Sequence, residues 1–355
     1  MSSKPISGPH VNAGGSVDII MRKVILALLP ATSFGILLFG WPALYLTVVT
    51  LISALLFELL CLKIKGLKPK PYLLDGSALV TGLLVAMTLP PWAPWWIGVI
   101  GSAIALMLGK HVYGGLGQNL FNPAMLARVA LLISFPIEMT TWVDVKPMFS
   151  GPSLLDSFAI TFANSIPDAM TGATTLGAVK TGFSLNLTLA DLLSDYSGVL
   201  AFIGWERGSL GETSSLLILL GGVWLMRQGI IQWHIPLSLI GSILLLAIVF
   251  HWHDPHRYLN AWVHINSGAV MLVAFFIATD YVTSPNTPLG QLLFGAGCGL
   301  LIFVIRTWGG YPEGTGFAIL LMNSVTPIID HYIKPRIYGR YRNGKPLDMS
   351  PREPS

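Results

Sequence analysis

Charged residues are scarce in this chain of 355 amino acids: Asp, Glu, Lys and Arg make up 11% of it, against roughly a quarter in soluble domains. That excludes a water-soluble enzyme of ordinary composition. Cysteine is scarcer still. Cys61 and Cys298 stand far apart inside apolar runs, which offers no disulfide framework and no C-x-x-C pair, so cysteine-held iron–sulfur clusters and c-type haem are not expected. A nucleophile elbow, a Walker loop and a dinucleotide fingerprint are also missing, so soluble-type NADH binding within this chain is not expected. What the chain has is apolar surface: 53% hydrophobic residues, 16 Phe and 11 Trp, with a mean hydropathy of +0.67. It is too apolar for a solvated, disordered chain and reads as a polytopic membrane protein.

The first apolar run, Val24 to Leu62, carries Glu58 as its only charge and is long enough for two spans turning near Gly40 and Pro42. Further spans are predicted at Leu73–Leu89, Trp95–Val112, Pro123–Pro136, Ser214–Met226, Ile235–Trp252, Trp262–Thr279, Gly290–Trp308 and Gly316–Ile329. Ten spans with a cytoplasmic N-terminus put 15 of the 21 basic residues on the cytoplasmic side. The positive-inside rule supports that topology, and it accounts for the net charge of +4 without nucleic acid as a partner. Trp92, Trp95, Trp96, Trp252 and Trp308 fall at span ends, where interface anchors are expected.

The two halves resemble each other. DGSALVTGLLVAMT from Asp75 lies over NSGAVMLVAFFIAT from Asn266, and KHVYGG ending at Gly115 over IRTWGG ending at Gly310. A polar, Gly-rich stretch follows each Gly pair, and Asn122-Pro123 is a natural helix start. With five spans per half the second copy enters the membrane from the opposite side. The expected fold class is thus an all-α polytopic membrane protein of about ten transmembrane helices, in two inverted five-helix repeats with broken helices. The expected organisation is a cytoplasmic N-terminus (1–23), a first repeat (24–136), an extracytoplasmic loop (137–213), a second repeat (214–329) and a basic cytoplasmic tail (330–355). Glu58, Asp75, Lys110, Arg128, Asp280, Arg306 and Glu313 lie near the breaks. Singly, each reads best as a snorkelling or capping group; as a set around the pseudo-symmetric centre they suggest function.

The long loop holds eight of the 17 acids, and its centre reads Asp168-Ala169-Met170-Thr171-Gly172-Ala173-Thr174-Thr175-Leu176. Ordinary turn chemistry could explain a Thr-Gly-rich stretch. D-x-x-[ST]-G-A-T is also the acceptor pattern of flavin transferases, which move the FMN half of FAD onto a threonine hydroxyl as a phosphoester. Five such fixed positions arise by chance in roughly one chain of this length per thousand. The acceptor needs an exposed hydroxyl among small residues, which Gly172 and Ala173 provide. By the register of the motif it is Thr174, with Thr171 at the Ser/Thr position and Asp168 serving recognition by the transferase.

With these motifs the chain resembles the family that holds the D subunit of the Rnf/Rsx ion-translocating electron-transport complex and the B subunit of the sodium-pumping NADH:quinone reductase. The match runs nearly end to end, through DGSALVTGLLVA, GGLGQNLFNPAM, DAMTGATTLGAVK, FFIATDYVTSPNTPLG, GYPEGTGFAILLMN and IIDHYIKPRIYGR. The stretch from Gly310 to Arg340 and the short N-terminal segment resemble the D subunit more. The resemblance implies FMN covalently linked to Thr174, a non-covalent riboflavin among the spans, and electron transfer between NADH and ferredoxin-type carriers coupled to Na+ or H+ movement. It also implies an FMN transferase for maturation, partners in the form of the A, B, C, E and G subunits, and residence in the bacterial inner membrane with the flavin loop outside. The riboflavin or ion region is expected near Asp75, Asn119, Asn122 and Asp280. A quinone-reductase subunit and a plain secondary transporter or channel are the rival readings, the latter having no use for a tethered flavin. His251, His253, Asp254 and His256 have metal-compatible spacing, but an exposed, Trp-flanked loop is the plainer reading and no metal is expected.

Overall fold

The computed structural model describes residues 16–163, 171–194 and 196–335. Asp168, the segment before Ser16 and the basic tail after Pro335 lie outside the described residues. The fold is all-α, and helices occur at every predicted span. Four are long and apolar enough to cross a membrane: α1 (Val17–Phe39), α2 (Trp41–Ile64), α13 (His234–His253) and α16 (Pro288–Trp308). The first two are separated by Gly40 alone, whose left-handed φ of +79° turns the chain before Pro42 restarts it. The protein is therefore a multi-pass membrane protein.

The remaining spans are shorter or interrupted. In place of the single helix expected from Leu73 to Leu89, α3 (Pro69–Leu74) ends and α4 (Ser77–Thr88) begins across a left-handed Gly76. The span at Trp262–Thr279 is likewise divided, into α14 (Ala261–Asn266) and α15 (Val270–Leu272), the latter running on as a π-helix to Ile277. α5 (Trp95–Ala103) also continues as a π-helix, over Ile104–His111. α6 (Pro123–Ser134) starts where expected, because the Asn122 side chain accepts from the amides of Ala124 and Met125. The last span, expected to be short, is a full helix, α17 (Thr315–Tyr332).

The stretch from 137 to 213 is more ordered than a loop. It holds α7 (Pro136–Thr140), α8 (Leu154–Ala163), α9 (Thr175–Ser184), α10 (Leu189–Leu192) and α11 (Gly198–Ile203), with α12 (Ser215–Arg227) following as a span. A two-stranded ladder pairs β1 (Trp142–Val143) with β2 (Thr171–Gly172), Trp142 opposite Gly172. Val143, Ile160 and Leu210 pack on Phe39 and Trp92, so the segment shares a core with the ends of α1 and α2. Trp92 is accordingly not a lipid-facing anchor: it is 1% exposed and donates to the Phe39 carbonyl at 2.8 Å. Trp95, Trp252 and Trp308 are exposed, as anchors should be.

Equivalent helices pair in the two halves. α2 lies along α5, where a Cβ on Gly98 would overlap Thr50 Oγ1. α13 lies along α16, where Cβ atoms on Gly295 and Gly299 would overlap the hydroxyls of Ser238 and Ser242. Helix association between lipid-soluble surfaces rests on such close backbone approach through small residues. α6 and α17 pack together, as do α1 and α12.

Candidate functional site

The chain breaks line two cavities at opposite ends of α6. The first has about 810 Å³ of open space and is lined by Ser77, Lys110, Asn119, Asn122, Phe275 and Asp280 among others. Three of the four residues expected around a flavin or ion region, Asn119, Asn122 and Asp280, thus meet in one place. The fourth does not line it, but Asp75 Oδ1 accepts from both the amide and the hydroxyl of Ser77, at 2.7 and 2.6 Å, and Ser77 does. Asn122 joins the halves: its amide donates to Asn323 Oδ1 at 3.0 Å, and Asn323 Nδ2 donates in turn to the Thr283 carbonyl at 3.2 Å. Asp280 accepts from the Val282 amide and the Thr283 hydroxyl.

Beside this cavity lies a buried charge cluster. Glu58 Oε1 is 2.8 Å from Lys110 Nζ, Glu58 Oε2 is 2.9 Å from His111 Nε2, and Lys110 also donates to Ser77 Oγ at 2.9 Å. Both partners of Glu58 sit on the π-helical stretch, a geometry that often marks functional positions. Buried singly, either Glu58 or Lys110 would be costly; as a pair they offset one another's charge, and His111 adds a hydrogen bond to Glu58.

The second cavity, with about 550 Å³ of empty space, adjoining solvent included, is lined by Arg128, Met139, Trp142, Thr174, Glu206 and Glu313 among others. Thr174 is the N-cap of α9, its Oγ1 accepting from the Gly177 amide at 3.2 Å, and it is half-buried at the cavity wall. α9 itself is held by Leu176 and Val179, a helical i, i+3 pair packed on Leu259 and Val263. Thr175, the neighbouring hydroxyl and the nearest alternative acceptor, points inward and donates to Glu206 Oε1. Arg207 pairs with Asp144, contacts the Ala173 carbonyl, and crosses Gly172 so closely that a Cβ there would lie 2.6 Å from its Nη1. The small residues before Thr174 therefore serve packing by Arg207 as well as access. Thr171 belongs to the ladder strand.

The second half supplies the rest of this wall. α14 ends at Asn266, leaving carbonyls that Arg306 satisfies: its Nη1 donates to His264 O at 2.6 Å and its Nη2 to Ser267 O at 2.9 Å. The same Nη2 lies 3.0 and 3.1 Å from the Glu313 carboxylate oxygens. Gly268, at φ +75°, makes that approach possible, since a Cβ there would overlap Glu313 Oε2. Lys180 of α9 donates to the carbonyls of Ile305, Arg306 and Tyr311 at 3.1 to 3.3 Å, closing the end of α16.

Two acids here read in the sequence only as loop charges. Burial holds the Glu206 carboxyl up at about 7, with its hydrogen bond from Thr175 opposing and the nearby Glu212 adding to the rise. Glu212 is raised as well, by burial and by Glu313. Its nearest cation is Arg128, 3.9 Å away, beyond hydrogen-bond reach. Arg128 lies over the Trp142 ring at 5.8 Å, and its buried Nη1 has no hydrogen-bond partner among the described residues. The site thus combines an accessible hydroxyl, apolar and aromatic walls and an unsatisfied guanidinium, which suits a group with a planar apolar body and polar edge atoms. The His251 ring is engaged by the Tyr258 carbonyl at 2.7 Å.

The model of the NQR2, RnfD, RnfE family matches residues 5–339 of this chain. A protein of Halorhodospira halophila, named as the D subunit of an ion-translocating oxidoreductase complex, is 52% identical over 349 residues, covering 97% of this chain and 98% of its own. Proteins of the same name are 52% identical in Stutzerimonas stutzeri, over 94% of this chain and 95% of theirs, and 40% identical in an Escherichia coli strain, over 95% and 98%. With two cavities built from its chain breaks and relatives matching along nearly its whole length, the chain belongs to the NQR2, RnfD, RnfE family.

Proposed function

We propose that this protein is the D subunit of an ion-translocating oxidoreductase complex and that it carries FMN as a phosphoester on Thr174. Its relatives' names support the first part. The observation that carries the second is Thr174 itself: the acceptor register of D-x-x-[ST]-G-A-T falls on a half-buried threonine in a cavity wall, while Thr175 is committed to Glu206. Asp168 and Thr171 with Gly172 and Ala173 are the recognition segment for an FMN transferase. The cavity of Asn119, Asn122 and Asp280, with Asp75 behind Ser77, is the place for a non-covalent riboflavin or for the coupling ion.

In this reading the bound flavins supply the electron carriers, and the chain supplies position, burial and charge. Electrons pass between NADH and ferredoxin-type carriers through the complex, coupled to Na+ or H+ movement, with the A, B, C, E and G subunits contributing the remaining cofactors and nucleotide site. The chain resides in the bacterial inner membrane, both termini cytoplasmic and the Thr174 segment outside. Ultraviolet fluorescence of the denatured band in a gel tests it. Wild type co-expressed with the transferase glows and Thr174→Ala does not; equal fluorescence from both moves the attachment site, and a dark wild-type band refutes the flavin reading.

A further inference from the structure

The two cavities are related by the repeat. Asp75-Gly76-Ser77 in the first half lies over Asn266-Ser267-Gly268 in the second; Ser77 lines the Asn122 cavity, and Ser267 and Gly268 line the Thr174 cavity. The Gly-rich break after the first half's fourth span contributes Leu116 and Asn119 to one, and the corresponding break contributes Tyr311, Pro312 and Glu313 to the other. Each cavity therefore takes the same two breaks from one half, while the other half supplies the facing wall, Phe275 and Asp280 in the first cavity and Arg128 and Leu132 in the second.

A group tethered to Thr174 has two places to lie. One is the Thr174 cavity, inward between Met139, Trp142 and Arg128. The other is an outer groove of about 920 Å³ lined by Tyr196, Leu200, Trp205 and Arg207. The groove is wide and shared with solvent, and Trp205 is 52% exposed. In the inward cavity a charged side chain has been buried without full compensation. Arg128 is 8% exposed; its nearest carboxylate stands at 3.9 Å and its Nη1 bonds nothing among the described residues. An orphaned buried donor of a charged group costs about 1–3 kcal/mol or more, so a ligand acceptor is what completes this site.

We propose that the Thr174 cavity receives the ring system of the flavin tethered at Thr174, with Arg128 donating to the carbonyl and nitrogen edge of its pyrimidine end and Trp142 and Met139 against its body. This rests on the reading of Thr174 as the acceptor. Arg128 is then the residue that orients the ring and favours electron density on that edge, because a fixed positive charge in a poorly solvated pocket favours the more negative form of its partner. The outer groove is left for a partner protein's surface or for solvent.

The test separates the tether from the ring. The complex is purified with Arg128→Gln, Arg128→Lys, Leu132→Trp, which narrows the cavity, or Trp205→Ala, which opens the groove; Thr174→Ala serves as the blank for other flavins. Denatured-gel fluorescence reads the tether, while iodide quenching of native flavin fluorescence and redox titration read the ring. Expected are gel bands as bright as wild type in every ring variant. Arg128→Gln should show quenching severalfold stronger and an oxidised-to-reduced ratio about tenfold higher at fixed potential, 59 mV for a one-electron couple. Arg128→Lys should recover part of both, Leu132→Trp should expose the ring, and Trp205→Ala should change neither. If Trp205→Ala shifts quenching and potential while Arg128→Gln and Leu132→Trp leave them at wild-type values, the ring lies in the groove and the proposal is wrong. If Arg128→Gln does not assemble, Leu132→Trp and Arg128→Lys decide by the same criteria. A dark wild-type band defeats the tether reading itself, an outcome distinct from a bright band with an unmoved ring.

Discussion

Glu206 gives a pH dependence whose sign and size follow from its surroundings. Its carboxyl is held at about 7 instead of 4.5 by burial and by the proximity of Glu212. At about 1.4 kcal/mol per pH unit between those values, ionising Glu206 in the folded protein costs about 3 kcal/mol. The unfolded chain binds a proton there only below about pH 4.5 and the folded chain up to about pH 7. Between them the native state holds more protons, so stability falls as pH rises through that window and is level above it. The groups facing Glu206 include the Thr175 and Ser267 hydroxyls, the Tyr196 phenol, the Glu212 carboxylate and the more distant Arg306 guanidinium. Glu206→Gln keeps the shape and a hydrogen-bonding head group but cannot ionise. Thermal unfolding of both proteins in lipid nanodiscs from pH 5 to 8 should show wild type losing several degrees relative to the variant by pH 7.5, with little difference near pH 5. Because Glu212 titrates with the same sign, only the difference between the two curves reports Glu206. Curves that stay parallel across the range would mean Glu206 is hydrated or paired, and the burial argument would fail.

The Glu58–Lys110–His111 cluster predicts non-additivity: Lys110→Met leaves Glu58 with His111 as its one remaining partner and should cost up to about 3–5 kcal/mol, while Glu58→Gln with Lys110→Met should recover most of it. Thermal unfolding of the singles and the double checks this, and a double variant equal to the sum of the singles would contradict it. In the Asn122 cavity, Asn122→Ala or Asp280→Ala should lower the flavin released on denaturation while leaving the covalent band untouched. Unchanged flavin stoichiometry and turnover would remove those residues from the site.

The sequence made some features legible because a local signal caused them. The length of Val24–Leu62 demanded a turn, and Gly40 makes it; Asn122-Pro123 announced a helix start, and the Asn122 side chain caps it. The breaks at Gly76 and Gly268 are hard to read in the sequence because each is only a polar triplet, Asp75-Gly76-Ser77 and Asn266-Ser267-Gly268, between apolar stretches that together look like one span. What stabilises the second is Arg306, some forty residues away, reaching the free carbonyls of α14. The segment from 137 to 213 reads as a loop because its helices are too short to show a period, and they stand by docking on Phe39, Trp92, Leu259 and Val263. Trp92 sits at the edge of a span in sequence and inside the core in space. The motif named Thr174, but composition cannot show that Glu206 and Glu212, two acids in a polar stretch, are buried against it, nor that Arg128 on a neighbouring span faces the same cavity.

Lys180 bears on how the molecule is assembled. In the first half the end of the fourth span is closed from within, Lys65 donating to the carbonyls of His111 and Gly114 at 2.9 and 3.0 Å. Among the described residues the second half has no such arrangement of its own at the end of α16; the cap comes from α9, the helix that Thr174 begins. The segment joining the repeats is thus a borrowed part of the second one. A chain cut to its membrane spans would not be a smaller working scaffold: it would leave one repeat finished and the other open at the end nearest the flavin attachment residue.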